Sequence, residues 1–395
     1  MTQPSIRDLD RQYIADTYAR FSVVLTHGKG SLVYDENGKE YIDLSTGIAV
    51  NTFGFADEAW QAAVTAQLGT LPHTSNLYYS APCAELAAML CEKTGMKKVF
   101  FANSGAEANE CAIKTARKYA EEKKGKDHYH ILTLQNSFHG RTITTLAATG
   151  QEVFHRDFTP LTDGFHYAAA GDIDGVRAIL DTYPTAAVII EVVQGEGGVV
   201  PLDKAFVQEL SALLSARDVL LICDEVQIGN GRSGELYGYM HYGIQPDIFT
   251  TAKGLGGGLP IGAAVLGEKV QHVLTPGTHG STFGGNPVCC AGALSILSRL
   301  NDEVLSGVRE RSAYIISELT GAPGVHSVTG LGLMLGIETA RPAAEVIRDC
   351  REKGVLVISA KTKVRLLPAL NIPMPLLTRA VHILKEACAG GQEEL

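Results

Sequence analysis

The sequence lacks several features that would assign it to a specialised class of protein. None of its apolar runs reaches the roughly 18 residues that a membrane-spanning helix needs. Basic residues are fewer than acidic ones, and the net charge of −9 argues against nucleic acid or an anionic membrane as a partner. Charged residues make up only 19% of the 395 residues and apolar residues 45%, which is typical of a globular protein of two or three domains.

The cysteines form no CxxC pair. Most of the eight lie in apolar stretches, at positions 83, 91, 111, 223, 289, 290, 350 and 388. This usage is typical of buried thiols and not of zinc ligands or a disulfide framework. We therefore expect reduced thiols, no metal site and a cytoplasmic protein. The opening residues have no apolar core segment, so we expect neither a secretion signal nor a transit peptide.

Strand-like and helix-like segments alternate through the middle of the chain. Apolar runs such as AAVIIEVV (186–193) and VLLICDE (219–225) are separated by helical patterns such as KAFVQELSALLSAR (204–217). Strands buried on both faces and joined by helices indicate a mainly parallel sheet. The predicted fold class is therefore α/β.

Two flanking parts have a different pattern. SLVY (31–34) and YIDL (41–44) read as a hairpin near the N-terminus. After THGSTFGGNP, a helix-like segment (290–319) leads to two strand segments, SVTGLGLMLGIE (327–338) and GVLVISAKTKVRLLPAL (354–370). We predict an N-terminal segment (1–50) that belongs to a small domain, a large domain (51–285) and the small domain itself (286–395).

Unusual polar and aromatic residues follow the ends of the predicted parallel strands: Ser104, Phe138-His139, Glu191, Asp224 and Lys253. Ligands of such sheets bind beyond the carboxyl ends of the strands, so these residues predict an active site. Desolvation can make the amine of a lysine at this edge nucleophilic. A buried carboxylate there needs a cationic partner, which a protonated pyridine nitrogen would provide.

A phosphate site is predicted where a strand meets a helix at NSGAE (103–107), because free backbone N–H groups point outward at a helix start. A plain serine cap of the helix is the alternative. The glycine-rich GLGGGLP (254–260) is not a P-loop, since no GK[ST] follows it. Lysine, carboxylate and phosphate site together indicate pyridoxal phosphate (PLP). Phe138 would stack on its ring or else be a core aromatic.

Six motifs resemble, in the same order, those of the class-III, fold-type-I PLP aminotransferases: NSGAEANE (103–110), SFHGRT (137–142), EVVQGEGG (191–198), DEVQ (224–227), AKGLGGGLPIGA (252–263) and HGSTFGGNP (279–287). Four more resemble most the members that act on N2-acetylornithine: GIAVN (47–51), SNLYY (75–79), ATGQE (148–152) and VRLLPALNI (364–372). The resemblance covers residues 20 to 385. It implies a seven-stranded large domain, a small α/β domain and a homodimer with shared active sites.

The resemblance also implies a role for each matching residue. Lys253 would bond to PLP and shuttle the proton, and Asp224 would hold the ring nitrogen. The implied PLP contacts are Ser104, Gly105, Ala106, Phe138, Asp224, Glu225, Val226, Gln227, Lys253 and, from the partner subunit, Thr282. The implied substrate contacts are Arg141, Ser281, Glu191, Glu196 and Arg365. Arg141 would bind the distal carboxylate and Arg365 the α-carboxylate of 2-oxoglutarate, with Glu196 neutralising Arg365 while the amine substrate is bound.

The chain departs from the family pattern at Val192, where proline is usual, and at Gly54–Glu58, where the family usually has Gly-His-Cys-His-Pro. The implied reaction is transamination of N2-acetylornithine with 2-oxoglutarate. Other possible amines are succinylornithine, N-succinyl-diaminopimelate, ornithine and 4-aminobutyrate. Phe53 and Phe55, where ornithine enzymes usually have a tyrosine, favour an acylated amine. A PLP lyase or racemase, and a binding or regulatory protein without turnover, are the remaining alternatives.

Overall fold

The computed structural model describes residues 5–390. Its helices are α1 (Ile6–Tyr13), α2 (Thr46–Ala49, a single distorted turn), α3 (Glu58–Thr70), α4 (Ala81–Thr94), α5 (Gly105–Lys124), α6 (Ile143–Ala148), α7 (Ile173–Thr182), α8 (Lys204–Ala216), α9 (Pro287–Arg299), α10 (Asp302–Leu319), α11 (Ala343–Glu352) and α12 (Met374–Ala389). Short 3₁₀ turns occur at Glu152–Phe154, Gly238–Tyr242 and Lys253–Leu255.

The strands form four sheets. They are β1 (Leu25–Lys29), β2 (Leu32–Asp35), β3 (Glu40–Asp43), β4 (Lys98–Ala102), β5 (His130–Leu134), β6 (Phe165–Ala168), β7 (Thr185–Ile190), β8 (Val193–Gln194), β9 (Val200–Pro201), β10 (Leu220–Asp224), β11 (Ile248–Thr251), β12 (Gly262–Leu266), β13 (Val325–Leu331), β14 (Met334–Thr339), β15 (Val355–Leu356), β16 (Ile358–Ala360) and β17 (Lys363–Leu366).

The central sheet has seven strands in the order β4-β12-β11-β10-β7-β5-β6. All pairs are parallel except the two that β12 makes with β4 and β11. Every residue of β7 and β10 is buried. Along β10, Leu220 and Ile222 pack in one apolar cluster, and Leu221 and Cys223 in the cluster on the opposite face. The predicted α/β class and mainly parallel sheet are confirmed, and the reason is burial on both faces.

The N-terminal hairpin is confirmed, since β2 and β3 pair antiparallel. The sequence did not indicate that β15, from the far end of the chain, pairs in parallel with β3 to complete the sheet β1-β2-β3-β15. The N-terminal segment is therefore joined to the C-terminal part by backbone hydrogen bonds. The domain boundaries stay a prediction, and residues 1–4 and 391–395 of the first and last domains lie outside the described residues.

The C-terminal part differs from the expected pattern in three places. The stretch 354–370 is not one strand but three short ones: β15 pairs with β3, and β16 and β17 pair with each other in another sheet. The segment 290–319 is not one helix: α9 ends at Arg299, and α10 begins after Asn301, whose side chain accepts a hydrogen bond from Val304 N (3.0 Å). The stretch 327–338 is not one strand but the hairpin β13-β14, which turns at Gly332. Gly332 has φ +58°, and a Cβ there would lie 2.3 Å from the carbonyl oxygen of Arg232, so the turn needs glycine.

A membrane-crossing helix is not found between residues 5 and 390: no helix there is both long enough and apolar enough.

Candidate active site

The candidate active site is a cavity of about 470 Å³ at the carboxyl ends of the parallel strands. Polar residues that follow β4, β5, β7, β10 and β11 meet there, as expected for this kind of sheet. The predicted site residues that line it are Ser104, Gly105, Ala106, Phe138, Arg141, Glu191, Asp224, Val226, Gln227 and Lys253. The structure therefore brings together most of the residues that the sequence singled out.

Lys253 lies two residues beyond β11, in a 3₁₀ turn, with φ +45°. This left-handed conformation is unfavourable for a lysine and is found where the surrounding structure imposes it, often at functional sites. Burial lowers the pKa of Lys253 and outweighs the nearby negative charges of Asp224, Glu196 and Glu191, which act to raise it. A lysine with a lowered pKa has more neutral amine at a given pH, which favours nucleophilic attack and proton transfer.

Asp224 ends β10, next to β11 in the sheet, so the predicted adjacency of the two strand ends is confirmed. The carboxylate is only 5% exposed and is held on three sides. Its Oδ2 accepts hydrogen bonds from Asn109 Nδ2 and His139 Nδ1, both at 2.8 Å, and its Oδ1 accepts from Val226 N at 3.0 Å. Three donors fix the orientation of the carboxylate.

Asn109 was missed by the sequence reasoning. It lies in α5, where asparagine is a poor helix former, and this low propensity was the available signal. Its amide nitrogen donates to His139 O as well as to Asp224, and its Oδ1 accepts from Thr250 Oγ1 at 2.7 Å. Asn109 thus connects the helix to the ends of two strands and positions Asp224.

The start of α5 has the features of an anion site. Ser104 caps the helix, because its Oγ accepts from Glu107 N (3.2 Å). The first helical backbone bond runs from Ala108 N to Ser104 O (3.1 Å), so the N–H groups of Gly105 and Ala106 lie before the helical ladder. A Cβ at Gly105 would lie 2.6 Å from Val226 Cγ1. The two interpretations of Ser104 are therefore compatible: Ser104 caps the helix, while Gly105 and Ala106, whose N–H groups have no partner in the helix, line the cavity.

Glu191 is fully engaged with the backbone around the cavity. Its Oε2 accepts from Phe138 N (2.9 Å) and its Oε1 from Gly195 N (3.3 Å). Burial, together with the charge of Asp224, raises the pKa of Glu191 well above the usual range of a glutamate. Glu191 therefore anchors the segment that carries Phe138 to the turn that carries Glu196.

Arg141 is exposed at the edge of the cavity and packs against aromatic rings. Its guanidinium carbon lies 4.2 Å from the ring centre of Phe154 and 5.5 Å from that of Phe138. Phe154 was not singled out from the sequence. Stacking of this kind holds the guanidinium in one plane and leaves its edge N–H groups available to a carboxylate.

Arg365 and Glu196 form an ion pair beside the cavity. Arg365 lies in β17, in the C-terminal sheet, and is 3% exposed. Its Nη1 donates to Glu196 Oε1 (2.6 Å) and to Gln227 Oε1 (2.9 Å), while Gln227 Nε2 donates to the same Glu196 oxygen (3.3 Å). Burial acts to raise the pKa of Glu196, but the charge and hydrogen bonds of Arg365 lower it below the usual value.

This pair leaves one donor of the guanidinium free. Arg365 Nε is buried and has no hydrogen-bond partner within residues 5–390. An unpaired donor on a buried cation is costly and is suited to a ligand that brings its own acceptor. The geometry is compatible with a carboxylate that replaces Glu196 on this arginine.

Five predicted site residues are not among those that line the cavity: Glu196 and Arg365, which form the ion pair beside it, and Glu225, Ser281 and Thr282. Glu225 points into the core, where its carboxylate accepts from Gly238 N (2.6 Å) and Tyr239 N (2.8 Å), and burial raises its pKa to about 7. Ser281 and Thr282 line a neighbouring cavity of about 570 Å³. Asn103 borders both cavities and donates to Ser281 Oγ (3.2 Å).

The two phenylalanines that favoured an acylated amine are also outside the cavity. Phe53 is buried beneath the guanidinium of Arg299, whose central carbon lies 4.3 Å from its ring centre. Phe55 exchanges backbone hydrogen bonds with Gly30. Among residues 50–55, Val50 is the one that lines the cavity. Phe53 and Phe55 therefore give no structural support for the choice of an acylated amine.

A lysine at the carboxyl edge of a parallel sheet, a fixed carboxylate on the adjacent strand and an open helix start define the site of a PLP-dependent enzyme of this fold. Residues 13–388 match the family model described as aminotransferase class-III, and the chain belongs to that family.

Its relatives include the acetylornithine aminotransferase of Haemophilus ducreyi, 49% identical over 388 residues that cover 98% of this chain and 99% of that protein. Among solved structures, the N-acetylornithine aminotransferase from Stenotrophomonas maltophilia is 34% identical, with a TM-score of 0.84 and coverage of 96% and 98%. The ornithine aminotransferase from Toxoplasma gondii, described with PLP at partial occupancy in its active site, is 32% identical, with a TM-score of 0.93 and coverage of 98% and 95%. The sequence identity is thus higher to the acetylornithine aminotransferase of Haemophilus ducreyi than to the ornithine aminotransferase of Toxoplasma gondii.

Proposed function

We propose that this protein transfers the side-chain amino group of N2-acetyl-L-ornithine to 2-oxoglutarate, giving N-acetyl-L-glutamate 5-semialdehyde and L-glutamate, a step of arginine biosynthesis. PLP is the cofactor. The observation that carries the proposal is the buried Lys253 next to Asp224 in a cavity that Arg141 also lines, with the Arg365–Glu196 ion pair beside it. The relatives of this chain support the choice of N2-acetylornithine.

The residues at the site match the chemical groups of PLP. When bound, PLP supplies an aldehyde that bonds to amines and a protonated ring that accepts electrons. The N–H groups of Gly105 and Ala106 would hold its phosphate, and Asp224 would hold the protonated ring nitrogen. Phe138 and Val226, which both line the cavity, would pack on the ring. Gln227 would hydrogen-bond the ring oxygen through the amide that now lies between Arg365 and Glu196.

Lys253 has two tasks in this proposal. Its lowered pKa makes the amine available for the covalent bond to the cofactor. When it is not bonded to the cofactor, the same amine would take a proton from the substrate carbon and pass it on, which is the proton transfer that transamination requires. Asp224, Glu196 and Glu191 act to raise the pKa of Lys253, and these charges would stabilise the amine once it has taken up the proton.

Two arginines would bind the carboxylates of the substrates. Arg141, stacked and exposed at the cavity edge, would bind the carboxylate furthest from the reacting amine. Arg365 would bind the α-carboxylate of 2-oxoglutarate after Glu196 moves away. Glu191 and Ser281 would contribute further polar contacts, the first by holding the Phe138 segment and the second from the neighbouring cavity.

The function is tested by a substrate panel measured as kcat/KM. The panel contains N2-acetylornithine, succinylornithine, N-succinyl-diaminopimelate, ornithine and 4-aminobutyrate, each with 2-oxoglutarate. We expect N2-acetylornithine to be preferred, and a higher kcat/KM for another amine would contradict the proposed substrate. Product formation that needs no 2-oxoglutarate would indicate a lyase or racemase. A bound cofactor whose spectrum responds to none of the amines would indicate a protein without turnover.

Replacement of Glu196 by alanine should move selectivity toward α-amino acids. Arg365 would lose its anionic partner, so any α-carboxylate would bind there more readily and the acylated amine would bind less well. The expected change in the ratio of kcat/KM for glutamate to that for N2-acetylornithine is roughly 1–3 kcal/mol, the scale of one charged partner. Glu196→Gln is the matched control, because it keeps the shape and loses the charge, and it should give a smaller change in the same direction.

Replacement of Arg365 by alanine should separate the two half-reactions. The half-reaction with 2-oxoglutarate should fail, while the half-reaction with N2-acetylornithine should persist, since only the first requires an α-carboxylate at Arg365. Single-turnover spectra with one substrate at a time measure each half-reaction. Equal damage to both half-reactions in Glu196→Ala and Arg365→Ala would mean that the pair is a structural salt bridge.

The proposed assembly is a homodimer with shared active sites, in the cytoplasm. Support comes from a group of large apolar side chains that this chain leaves exposed around the second cavity and the SNLYY motif: Leu77 (87% exposed), Tyr78 (72%), Tyr79 (105%) and Phe283 (59%). Apolar surface of this kind is typical of an interface.

The free state of all eight cysteines is compatible with a reducing compartment. We propose residues 51–285 as the PLP-binding domain, with 1–50 and 286–395 forming the small domain.

Replacement of Thr282 by alanine should weaken PLP binding by about 1–3 kcal/mol, the loss of one hydrogen bond to a charged phosphate. Thr282 is exposed and lies outside the cavity of its own chain, so the hydroxyl would act on the cofactor of the partner. Mixed dimers of Thr282→Ala and Lys253→Ala chains test this directly. If the site is shared, each mixed dimer contains one site with both Lys253 and Thr282.

At limiting PLP, such mixed dimers should regain close to half of the wild-type activity per dimer. Mixed dimers of Lys253→Ala with wild-type chains are the control for subunit exchange. If the Thr282→Ala and Lys253→Ala mixture shows only the weakened PLP affinity of the Thr282→Ala homodimer, Thr282 does not reach the partner.

A further inference from the structure

The segment Gly256–Ile261 forms one wall of the candidate active site and contains three consecutive glycines. Residues 258–261 line the cavity. Glycine has more conformational freedom than any other residue, so a run of three is held in one shape only by its contacts. Within this segment Leu259 N donates to Gly256 O at 3.3 Å, and Gly256 N donates back to Lys253 O at 3.0 Å. The shape of the wall is therefore coupled to the turn that carries Lys253.

Trp60, the single tryptophan of the chain, contacts this wall from outside the cavity. Its Nε1 donates a hydrogen bond to Gly256 O at 2.9 Å. A Cβ at Gly257 would lie 3.0 Å from the same nitrogen, and one at Gly258 would lie 3.6 Å from the six-membered ring of the indole. The indole thus lies directly against the backbone of the glycine run.

The other side of the indole is equally restricted. A Cβ at Gly292, in α9, would lie 2.9 Å from Trp60 Nε1, closer than real Cβ contacts allow. The indole occupies a slot between α9 and the glycine run, and glycines on both sides make room for it. A side chain of another size would leave a gap or require the wall to move.

An ion pair sets the position of Trp60 within the slot. Asp57 caps α3, because its Oδ1 accepts from Trp60 N at 2.9 Å. The same carboxylate binds both terminal nitrogens of Arg299, from the end of α9, at 2.7 and 3.0 Å. Bidentate pairs of this kind fix relative orientation. Asp57 lies in the stretch 54–58, where this chain departs from the pattern usual in its family.

We propose that Trp60 is a positioning residue for the active site: it holds the wall Gly258–Ile261 in the shape that accepts the amine substrate. The Asp57–Arg299 pair fixes Trp60 in turn. The indole touches neither substrate nor cofactor in this arrangement and acts only through the glycine run. The expected effect of Trp60 on binding of the amine substrate rests on the proposed transaminase function. The expected effect of Trp60 on the shape of the wall does not.

Trp60→Phe is the test variant, because phenylalanine keeps an aromatic ring in the slot and loses the N–H donor. Val64→Ala is the matched control. Val64 lies one turn further along α3 and packs on the same Gly292, where a Cβ would meet its Cγ2 at 3.2 Å, but none of the atoms nearest to a Cβ at Gly256, Gly257 or Gly258 belongs to it. Both variants weaken the packing of α3 on α9, and only the first removes a contact with the wall.

The first measurement is hydrogen exchange of the peptide that covers residues 254–262, in the full-length protein. We expect exchange to be about tenfold faster in Trp60→Phe than in the wild type, because one hydrogen bond that restrains the wall is lost. Val64→Ala should leave the exchange of this peptide unchanged, even where its melting temperature falls as far. Equal exchange in all three proteins, or the same increase in both variants, would overturn the proposal.

The second measurement is steady-state kinetics with N2-acetylornithine and 2-oxoglutarate. Trp60→Phe should raise the KM for the amine about three- to tenfold and change kcat less than about twofold, because the wall contributes to binding and not to proton transfer. Val64→Ala should leave both constants unchanged. A fall in kcat at constant KM would overturn the positioning role. A wild-type protein with no turnover would contradict the proposed function alone, since hydrogen exchange still reports on Trp60.

Discussion

Replacement of Lys253 by alanine should reduce transamination by about 10⁴-fold or more, the upper range for loss of a positioned proton-transfer group. The reason is that one amine has both proposed tasks, covalent attachment of the cofactor and movement of the proton. Its lowered pKa and its left-handed backbone both indicate a residue held for function. The measurements are kcat with N2-acetylornithine and the visible absorption band of the lysine-bound cofactor, which should be lost.

Small primary amines provide a rescue test for this variant. The space left by the missing side chain, in a cavity that is already open, should admit an amine such as methylamine. Its addition should restore part of the proton transfer in proportion to its concentration. Lys269→Ala is the control, because that lysine pairs with Asp218 and Asp247 away from the cavity. Retention of the native cofactor spectrum in Lys253→Ala would contradict the assignment.

Replacement of Asp224 by asparagine should lower kcat by about 10³-fold or more, equivalent to roughly 4 kcal/mol, with PLP still bound. A neutral amide cannot stabilise a protonated ring nitrogen. The amide also conflicts with its surroundings, because the carboxylate accepts from three donors, on Asn109, His139 and Val226, and one amide position has only hydrogens to offer.

A cofactor analogue with a methylated ring nitrogen separates these two effects. Its ring is permanently positive and needs no acidic partner to stay charged. It should therefore restore much of the lost kcat in Asp224→Asn but should not improve the wild type. If Asp224→Asn has a near-normal kcat with PLP itself, Asp224 does not hold the ring nitrogen. If the analogue restores nothing, the loss is caused by displaced neighbours such as His139.

Much of the large domain could be predicted because its pattern is local and repetitive. Strands β7 and β10 are apolar at every position, and only a sheet covered on both faces accommodates that. The carboxyl ends of such strands meet at one edge, so Asp224 and Lys253 could be placed near each other without knowledge of any contact. The breaks at Leu300-Asn301 and Gly332 were not predicted, because a turn inside an apolar pattern depends on what packs beside it.

The sequence by itself determined the α/β class, the edge of the sheet where the site lies, the family and the residue types available for PLP chemistry. Apolar runs and the order of the motifs are visible in the linear sequence, without knowledge of any contact between distant residues. Only the tertiary structure decided which side chains face the cavity. Glu225, adjacent to Asp224 in a motif, points into the core, because successive residues after a strand need not share a face.

Contacts between distant parts of the chain were likewise decided by packing. Asn109 reaches Asp224 from a helix, Arg365 reaches Glu196 from the far sheet, and Trp60 reaches Gly256 across the end of α3. Each pair is separated by more than a hundred residues, and no local pattern encodes such a partner. Their geometry follows from how the helices and the two sheets pack together, which is where the shape of this active site is set.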